Sequence, residues 1–264
     1  MKYRIYTPFD DTNAAFVEDG FIIIRGAFQK KIIDSCREFV MARFDRKGDP
    51  HEQAVGIMDE LQHEACFKLL AEGSWAKAVM KRFLGPDVAI FNYDALWINV
   101  PKDKNPVLLK GDHTDAWTGT SVNTIFAKVF LTDCDQYNGI SVAPGSHLQG
   151  MIPVRNRAID KRSKVRFPTI NLGGLKAGDW LIWHPLLVHA TVGHSPKNIR
   201  ISITSRYTST ETPFSSQERA LGYRTLSVGP MNQILRLIGN DYLTPFRTYG
   251  GRVAIDKRLK DIYR

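Results

Sequence analysis

The spacing of apolar residues changes once along this 264-residue chain, and that change limits the fold more than any other feature. Between residues 28 and 84 apolar side chains recur at helical spacing. From Asp87 onward the spacing is two, which is typical of strands that turn one face to a core. Three parts are therefore predicted: helices over about 1–85, a β core over about 86–210 and a C-terminal extension over about 211–264.

The individual elements follow from the same patterns. Over 16–26 we expect a short helix, a glycine turn and a β-branched strand, and over 45–57 a polar loop. Further helices are predicted over 28–43, 58–72 and 74–84. Short antiparallel strands are predicted near 89–99, 107–113, 124–132, 140–143, 179–183, 186–191 and 199–208. No repeat or linker interrupts this order, so a single domain over 1–264 is predicted, with helices packed on a β-barrel or sandwich.

Composition and cysteine usage restrict the function classes. An apolar fraction of 43% with 24% charged residues is typical of a folded globular domain. The cysteines Cys36, Cys66 and Cys134 are far apart and form no CxxC pair, which argues against a disulfide framework or a structural zinc site. No apolar run has the length of a signal peptide or a membrane span. A cytoplasmic protein without a membrane partner is therefore expected.

The net charge of +9 raises the question of an anionic partner. Six basic residues lie between Arg155 and Arg166, against Asp160 alone. Aromatic residues do not interleave with them as a nucleic-acid stacking platform requires, so nucleic acid is not the expected partner. This basic strip is either a solvated loop or a surface that attracts an anionic small-molecule substrate, and Arg157 within it is a candidate substrate contact.

A His-x-Asp pair at His113 and Asp115 is the first candidate for a metal site. Residues two apart on a strand project from the same face, so both side chains can bind one ion while Thr114 points away. A distant histidine would complete the two-histidine, one-carboxylate set that leaves open positions on non-haem Fe(II). Three histidines compete for that place on the sequence alone: His184, His189 and His194.

Charged residues interrupt two apolar strands. The strand at 199–208 alternates isoleucines on one face with Arg200, Ser202 and Thr204 on the other. An arginine that faces a core needs an anion, which is either an internal Asp or Glu or a bound carboxylate to which Ser202 also donates. Lys128 lies within the apolar strand 125–131 and is either a cofactor or substrate contact or a solvent-facing residue.

Together these motifs resemble the phytanoyl-CoA dioxygenase family of Fe(II)/2-oxoglutarate oxygenases. The resemblance extends from about residue 12 to residue 208. It rests on six segments, which are Glu18-Asp19-Gly20-Phe21, His113-x-Asp115, Pro144-Gly145-Ser146-His147, Gly178-Asp179, Trp183-His184-Pro185 with His189, and Arg200-x-Ser202. It implies a mainly β molecule with helical support: a double-stranded β-helix, that is, a jelly-roll or cupin-like barrel packed against the N-terminal helices.

The resemblance also implies roles for the site residues. The expected Fe(II) ligands are His113, Asp115 and His189, whereas His184 and His147 would not be ligands. The expected contacts of 2-oxoglutarate are Arg200 and Ser202 at its distal carboxylate and Thr191 nearby. Lys128 is a further candidate contact from its place in an apolar strand, and the resemblance does not imply it. Dioxygen would be the co-substrate. The expected reaction is hydroxylation of a polar or anionic small molecule, with release of succinate and CO₂.

Two other classes stay open at the level of the sequence. A zinc or manganese cupin that acts as an isomerase or hydrolase could use the same His and Asp residues, although it would not need the Arg-x-Ser pair. A non-catalytic small-molecule-binding barrel would tolerate the loss of a metal ligand. The candidate substrate-pocket walls are Trp117, Tyr93 and Trp97, and for the last two ordinary core packing is the alternative.

Overall fold

A computed structural model describes residues 4–7, 10–91, 95–101, 111–118, 120–156, 158–163, 165–193, 197–210 and 222–237. The helices are α1 Asn13–Asp19, α2 Lys30–Arg43, α3 Pro50–Leu61, α4 Ala65–Ala71, α5 Ser74–Leu84 and α6 Pro230–Leu237. The strands are β1 Phe21–Ile24, β2 Val88–Phe91, β3 Ala95–Asn99, β4 Thr124–Phe130, β5 Ile140–Val142, β6 Val154–Arg155, β7 Ala158–Ile159, β8 Ile170–Asn171, β9 Trp180–Trp183, β10 His189–Thr191, β11 Arg200–Ser209 and β12 Tyr223–Thr225. Within these ranges no helix has the length and apolar character needed to cross a membrane.

Helix α3 corrects the expectation of a loop over 45–57. Pro50 occupies the first helical position, where its fixed φ and missing N–H suit a helix start. The Asp49 carboxylate caps this end, because it accepts from the backbone N–H groups of His51 and Glu52 at 2.8 and 2.9 Å. The Asp-Pro pair therefore marks the beginning of a helix. The helix predicted over 58–72 is accordingly divided between the end of α3 and all of α4.

The main sheet contains seven antiparallel strands in the order β1-β9-β4-β11-β2-β12, with β3 also paired to β11. The ten-residue strand β11 is its centre. One edge of β11 pairs with β4, and the other pairs first with β3 and then with β2. Two strands come from outside the predicted β core: β1 lies at one edge of the sheet and β12 at the other. The assignment of the sheet to 86–210 alone is therefore too narrow.

The two faces of the main sheet meet different partners, as strand alternation requires. One face packs on α1–α5 in a large apolar core, to which β11 contributes Ile201, Ile203 and Tyr207. The opposite face, here called the inner face, carries Phe126 and Trp183 into a second, smaller apolar core. Arg200 and Ser202 lie on this inner face, because they alternate with the isoleucines.

A three-stranded sheet in the order β10-β5-β8 supplies the other side of the smaller core. His113 extends this sheet, since its backbone and that of His189 exchange N–H···O bonds of 3.0 and 2.9 Å. Of the strand predicted near 107–113, residues 107–110 lie outside the described residues. The hairpin β6–β7 is attached beside this segment, because the Ile159 N–H donates to Asp112 O at 2.8 Å. Among the described strands the main sheet is not closed on itself, so the expected barrel is here an open pair of facing sheets.

Candidate metal centre

His113, Asp115 and His189 meet where the small sheet faces the main sheet. Their potential ligand atoms all lie within 4.8 Å of one another. The backbone bridge sets the two histidines side by side, with ring centroids 4.3 Å apart. Asp115 begins a 3-10 turn over Asp115–Thr118, and its Oδ2 lies 3.5 Å from His189 Nε2. The fold therefore brings together the three residues that the resemblance selected.

Each of the two histidines has one ring nitrogen committed to the backbone. His113 Nδ1 is 3.1 Å from Gly111 O, and His189 Nδ1 is 3.0 Å from Leu187 O. A carbonyl oxygen only accepts, so the proton is on Nδ1 and Nε2 offers a lone pair. Burial lowers the pKa of His189 to about 4, which keeps the ring neutral. Two imidazoles beside one carboxylate suit a divalent transition metal such as Fe(II).

Arg200 occupies the far end of the inner face of β11 and is 1% exposed. Its Nη1 donates to the carbonyls of Asn138 and Gly139, and its Nη2 donates to Asn99 Oδ1 at 2.8 Å. Arg200 Nε, Ser202 Oγ and Asn99 Nδ2 are buried and have no hydrogen-bond partner. No carboxylate in the described part of the chain pairs with Arg200, so the internal Asp or Glu alternative finds no support. Unsatisfied buried donors are costly, and a bound carboxylate would accept from them.

Lys128 faces the same interior. It is 8% exposed, and its Nζ lies 5.3 Å from the ring centroid of Trp97 and 6.0 Å from that of Trp183. These distances are typical of a cation held over aromatic faces. Burial, and next the positive charge of Arg200, lower the pKa of Lys128 to about 7. The solvent-facing alternative is therefore wrong, and two buried cations share the inner face.

Of the other residues predicted to contact 2-oxoglutarate or the substrate, the structure describes some and leaves others outside its ranges. Trp97 pairs in register with Ser202, and its indole N–H donates to Thr204 Oγ1 at 3.1 Å, so it forms a wall of this interior. Thr191 is half-buried and, two residues after His189, lies on the same face of β10. Trp117 is described only as part of the 3-10 turn. Three further residues lie outside the described ranges: Tyr93, Arg157 and His194.

His184 lies apart from the metal-binding cluster. Its Nδ1 accepts from the Leu186 N–H at 3.2 Å, and its ring also hydrogen-bonds to the backbone of Val122. Burial lowers its pKa to about 4, and the ring lies 5.7 Å from that of His147. It lines a separate cleft of about 460 Å³, whose other walls include Phe16 and Val122. The Nδ1 lone pair is used by the Leu186 N–H, and His184 is not part of the cluster that could hold an ion.

Two polar contacts of the centre are not predictable from the motifs. The Trp183 indole N–H donates to Asp115 Oδ2 at 2.8 Å, although the two residues are 68 positions apart. Asn99 binds the Arg200 guanidinium through its side-chain oxygen. Alternation along β3 and β9 does assign both residues to the inner face. Their partners are set by tertiary structure: β3 pairs with β11 beside Arg200, and the turn that carries Asp115 lies against Trp183.

Comparisons with known proteins agree with this arrangement. The family model described as Phytanoyl-CoA dioxygenase (PhyH) matches residues 16–202. Among curated proteins, none matches the chain. Similar solved structures include the non-haem alpha-ketoglutarate-dependent epimerase SnoN from nogalamycin biosynthesis, with a TM-score of 0.56 and 19% identity over 74% of this chain and 81% of that chain. The carbocyclase SnoK from nogalamycin biosynthesis has a TM-score of 0.58 and 16% identity, over 83% and 94% of the two chains. The non-haem monooxygenase ThoJ gives 0.56 and 18%, over 83% and 84%.

At these low identities the similarity to the solved structures supports the fold alone. They confirm the predicted jelly-roll, cupin-like class, with the sheet left open. The epimerase SnoN has also been solved in complex with Fe³⁺, alpha-ketoglutarate and nogalamycin RO. The matched range includes both histidines of the cluster, Asp115, and Arg200 with Ser202, and it spans more than half of the sequence. The chain therefore belongs to the phytanoyl-CoA dioxygenase (PhyH) family.

Proposed function

We propose that this protein is an Fe(II)/2-oxoglutarate-dependent oxygenase that hydroxylates a polar or anionic small molecule, with release of succinate and CO₂. One observation carries the proposal: a two-histidine, one-carboxylate cluster shares the interior with Arg200, whose Nε and whose neighbour Ser202 Oγ are buried donors without a partner. The first fits a transition metal, and the second fits the distal carboxylate of 2-oxoglutarate.

The roles of the residues follow from their free atoms. His113 and His189 would bind iron through Nε2, and Asp115 through its carboxylate. Arg200 Nε and Ser202 Oγ would donate to the co-substrate. Further cofactor contacts would come from Lys128 and Thr191, and the candidate substrate contacts remain Trp97, Trp117, Tyr93 and Arg157. The metal and 2-oxoglutarate supply the oxidising chemistry with dioxygen, and the contribution of the chain is placement and exclusion of water.

The alternative classes fit fewer observations. A zinc or manganese isomerase or hydrolase would use the cluster, but it would leave the donors at Arg200 without an acceptor. A non-catalytic binding module has no need of three intact ligands. The fold does carry an epimerase and a carbocyclase, so the product of the reaction has to be identified directly. A substrate screen scored by succinate and followed by mass spectrometry separates a gain of one oxygen atom from an isomerised or cyclised product.

The metal assignment is tested by anaerobic titration with Fe(II) and 2-oxoglutarate. The wild-type protein should develop a weak visible metal-to-ligand charge-transfer band. His113→Ala, Asp115→Ala and His189→Ala should each lose bound iron and turnover, because each removes a direct metal bond. His184→Ala is the matched control and should retain iron, since His184 lies outside the cluster and its Nδ1 accepts from the Leu186 backbone. Loss of iron in His184→Ala together with retention in His189→Ala would overturn the ligand set.

The co-substrate assignment is tested at Arg200. Arg200→Ala should weaken 2-oxoglutarate binding by about 2–5 kcal/mol, because the charge-assisted contact is buried. Arg200→Lys should restore only part of this loss, since an ammonium does not reproduce the planar fork. The readout is the concentration of 2-oxoglutarate that half-saturates the charge-transfer band. An unchanged requirement in Arg200→Ala would remove the main support for 2-oxoglutarate.

A further inference from the structure

We propose that Trp183 is a positioning residue for the metal: its indole N–H holds one oxygen of Asp115, so that the carboxylate is fixed and its remaining lone pairs face the ion. This inference rests on the metal part of the proposed function and does not depend on 2-oxoglutarate. It concerns a residue to which the motifs give no role at the metal.

Strand β9 fixes the direction of the indole. Trp180 and Ile182 pack in the large core with the helices, whereas Leu181 and Trp183 lie in the smaller core. Trp183 is 5% exposed, and it pairs in register with β1 on one side and β4 on the other. Its ring stacks on Phe126, with centroids 5.5 Å apart and planes 24° apart. The indole is therefore held on the inner face before any ion binds.

The hydrogen bond has a clear physical purpose. An indole N–H only donates, and a buried one needs an acceptor. The acceptor is Asp115 Oδ2 at 2.8 Å, on a side chain that is 13% exposed. The donor is neutral, so it orients the carboxylate without cancelling the negative charge that attracts a cation. A lysine or arginine at this place would orient the carboxylate and also neutralise it.

The same indole also contacts a second ligand. Its ring centroid lies 5.4 Å from that of His189, at an interplanar angle of 60°. His113 is tied to His189 through the backbone bridge. Asp115 and His189 therefore both contact Trp183, a side chain of the main sheet. His113 is held beside them by its backbone bridge to His189. Trp183 thus fixes the position of the cluster relative to the main sheet.

The test compares Trp183→Phe with Trp180→Phe. Both variants remove a buried indole from the same four-residue strand, but Trp180 packs against Phe28 on the opposite face and touches no ligand. Metal affinity is measured anaerobically with Co(II) against a chromophoric chelator. Trp183→Phe should weaken Co(II) binding by about tenfold to a hundredfold and change the visible Co(II) spectrum. Trp180→Phe should leave both unchanged, while its melting temperature reports the structural cost of losing an indole.

A second measurement holds even if Trp183→Phe fails to fold. In the wild-type protein the Trp183 indole ¹⁵N–¹H resonance should be protected from exchange, and it should shift on addition of Zn(II) and in Asp115→Ala, whereas that of Trp180 should not move. Wild-type Co(II) affinity and spectrum in Trp183→Phe, or a Trp183 resonance that ignores both Zn(II) and Asp115→Ala, would overturn the inference. Co(II) binding without any 2-oxoglutarate band would instead refute the co-substrate assignment and leave the role of Trp183 standing.

Discussion

At the scale of single residues, the charge of Lys128 depends strongly on its surroundings. Its pKa falls from 10.5 to about 7 on folding, mainly through burial. Between these two pKa values the unfolded chain keeps a proton that the folded protein has lost. The free energy of unfolding therefore rises with pH through this window, and the cost of the lysine is greatest below about pH 7.

Lys128→Met should remove this cost while keeping the length of the side chain. The variant without ligands should be more stable than wild type near about pH 6, by at least about 1 kcal/mol, and the difference should shrink toward about pH 10. Urea unfolding at several pH values measures it. A variant that is less stable than wild type at the acidic end would contradict the assignment of Lys128 as a buried, unpaired cation.

The same lysine predicts an opposite trend for binding. An anionic co-substrate favours the protonated ammonium, so wild-type affinity for 2-oxoglutarate should fall as pH rises through about 7. In Lys128→Met that dependence should disappear, and the affinity should be weaker at the acidic end. Equal pH profiles for both proteins would place Lys128 away from the co-substrate.

Arg200 and Ser202 could be placed on one face from the sequence, because period-two alternation acts locally within β11. The pair His113 and Asp115 was found as a short motif, although Asp115 begins a 3-10 turn and does not continue a strand. Alternation left His184, His189 and His194 open as the third ligand, and the family resemblance selected His189.

The contacts of Trp183 and Asn99 could not be predicted from the sequence. Asn99 meets Arg200 through the pairing of β3 with β11, and Trp183 meets Asp115 where a turn lies against the main sheet. The sequence also did not decide whether Lys128 is buried, because a lysine within an apolar strand can lie at a solvent-exposed edge or in an interior.

At the scale of elements, the turn between α1 and β1 docks onto the loop that holds His147. Asp19 O accepts from the Gly145 N–H, and Gly20 O accepts from the His184 N–H, both at 2.9 Å. Gly20 has φ 79°, and a Cβ there would lie 2.4 Å from His147 Nδ1. The glycine therefore serves both the left-handed turn and the close approach of the imidazole.

Gly20→Ala should lower the free energy of unfolding by about 2–4 kcal/mol, through strain at positive φ and displacement of His147. Gly26→Ala is the matched control, because Gly26 also has positive φ but open space around it, and it should cost about 1 kcal/mol. Urea unfolding of both variants gives the difference. Equal losses would show that the His147 ring yields without cost.

The basic strip is attached next to the metal-binding segment through Ile159 and Asp112. Within it, Arg162 is paired with Asp160 at 2.7 Å, so its charge is partly cancelled. We expect exposed Arg155 and Arg166 to attract an anionic substrate. Replacing both with Gln should lower kcat/KM mainly at low ionic strength, since salt screens exposed charges over about 10 Å.

The matched control for this strip is Arg46→Gln with Lys47→Gln, the same charge change in the exposed α2–α3 loop. Substrate-independent consumption of 2-oxoglutarate should stay constant in both double variants. A loss that does not vary with salt would indicate a structural role for the strip, and equal activity at every ionic strength would indicate a solvated surface.

At the scale of the whole molecule, one sheet separates two apolar cores. Apolar periodicity predicted the helical layer, the β layer and their order. It could not predict that β1 and β12, from the flanking parts of the chain, would form the edges of the main sheet. The apolar pattern of a strand does not show which other strand it pairs with. The main sheet is open because its edge strands, β1 and β12, pair with no further described strand.

We propose that residues 1–264 form a single domain, since both cores share the main sheet. Leu61→Ala in the helical core and Leu172→Ala in the smaller core each remove a fully buried side chain. Each should lower the free energy of unfolding by about 2–5 kcal/mol. Calorimetry should show one cooperative transition that moves in both variants. Two transitions, with only one shifted in each variant, would divide the chain into two units.

Strand β11 alternates between these two environments along its length, and this has a consequence for how the sequence can change. Substitutions at 201, 203 and 207 alter how much folded protein a cell retains, because they enter the helical core. Substitutions at 200 and 202 also change the donors that the inner face offers to the proposed co-substrate. The odd positions therefore affect stability alone, whereas a change at 200 or 202 affects both stability and binding.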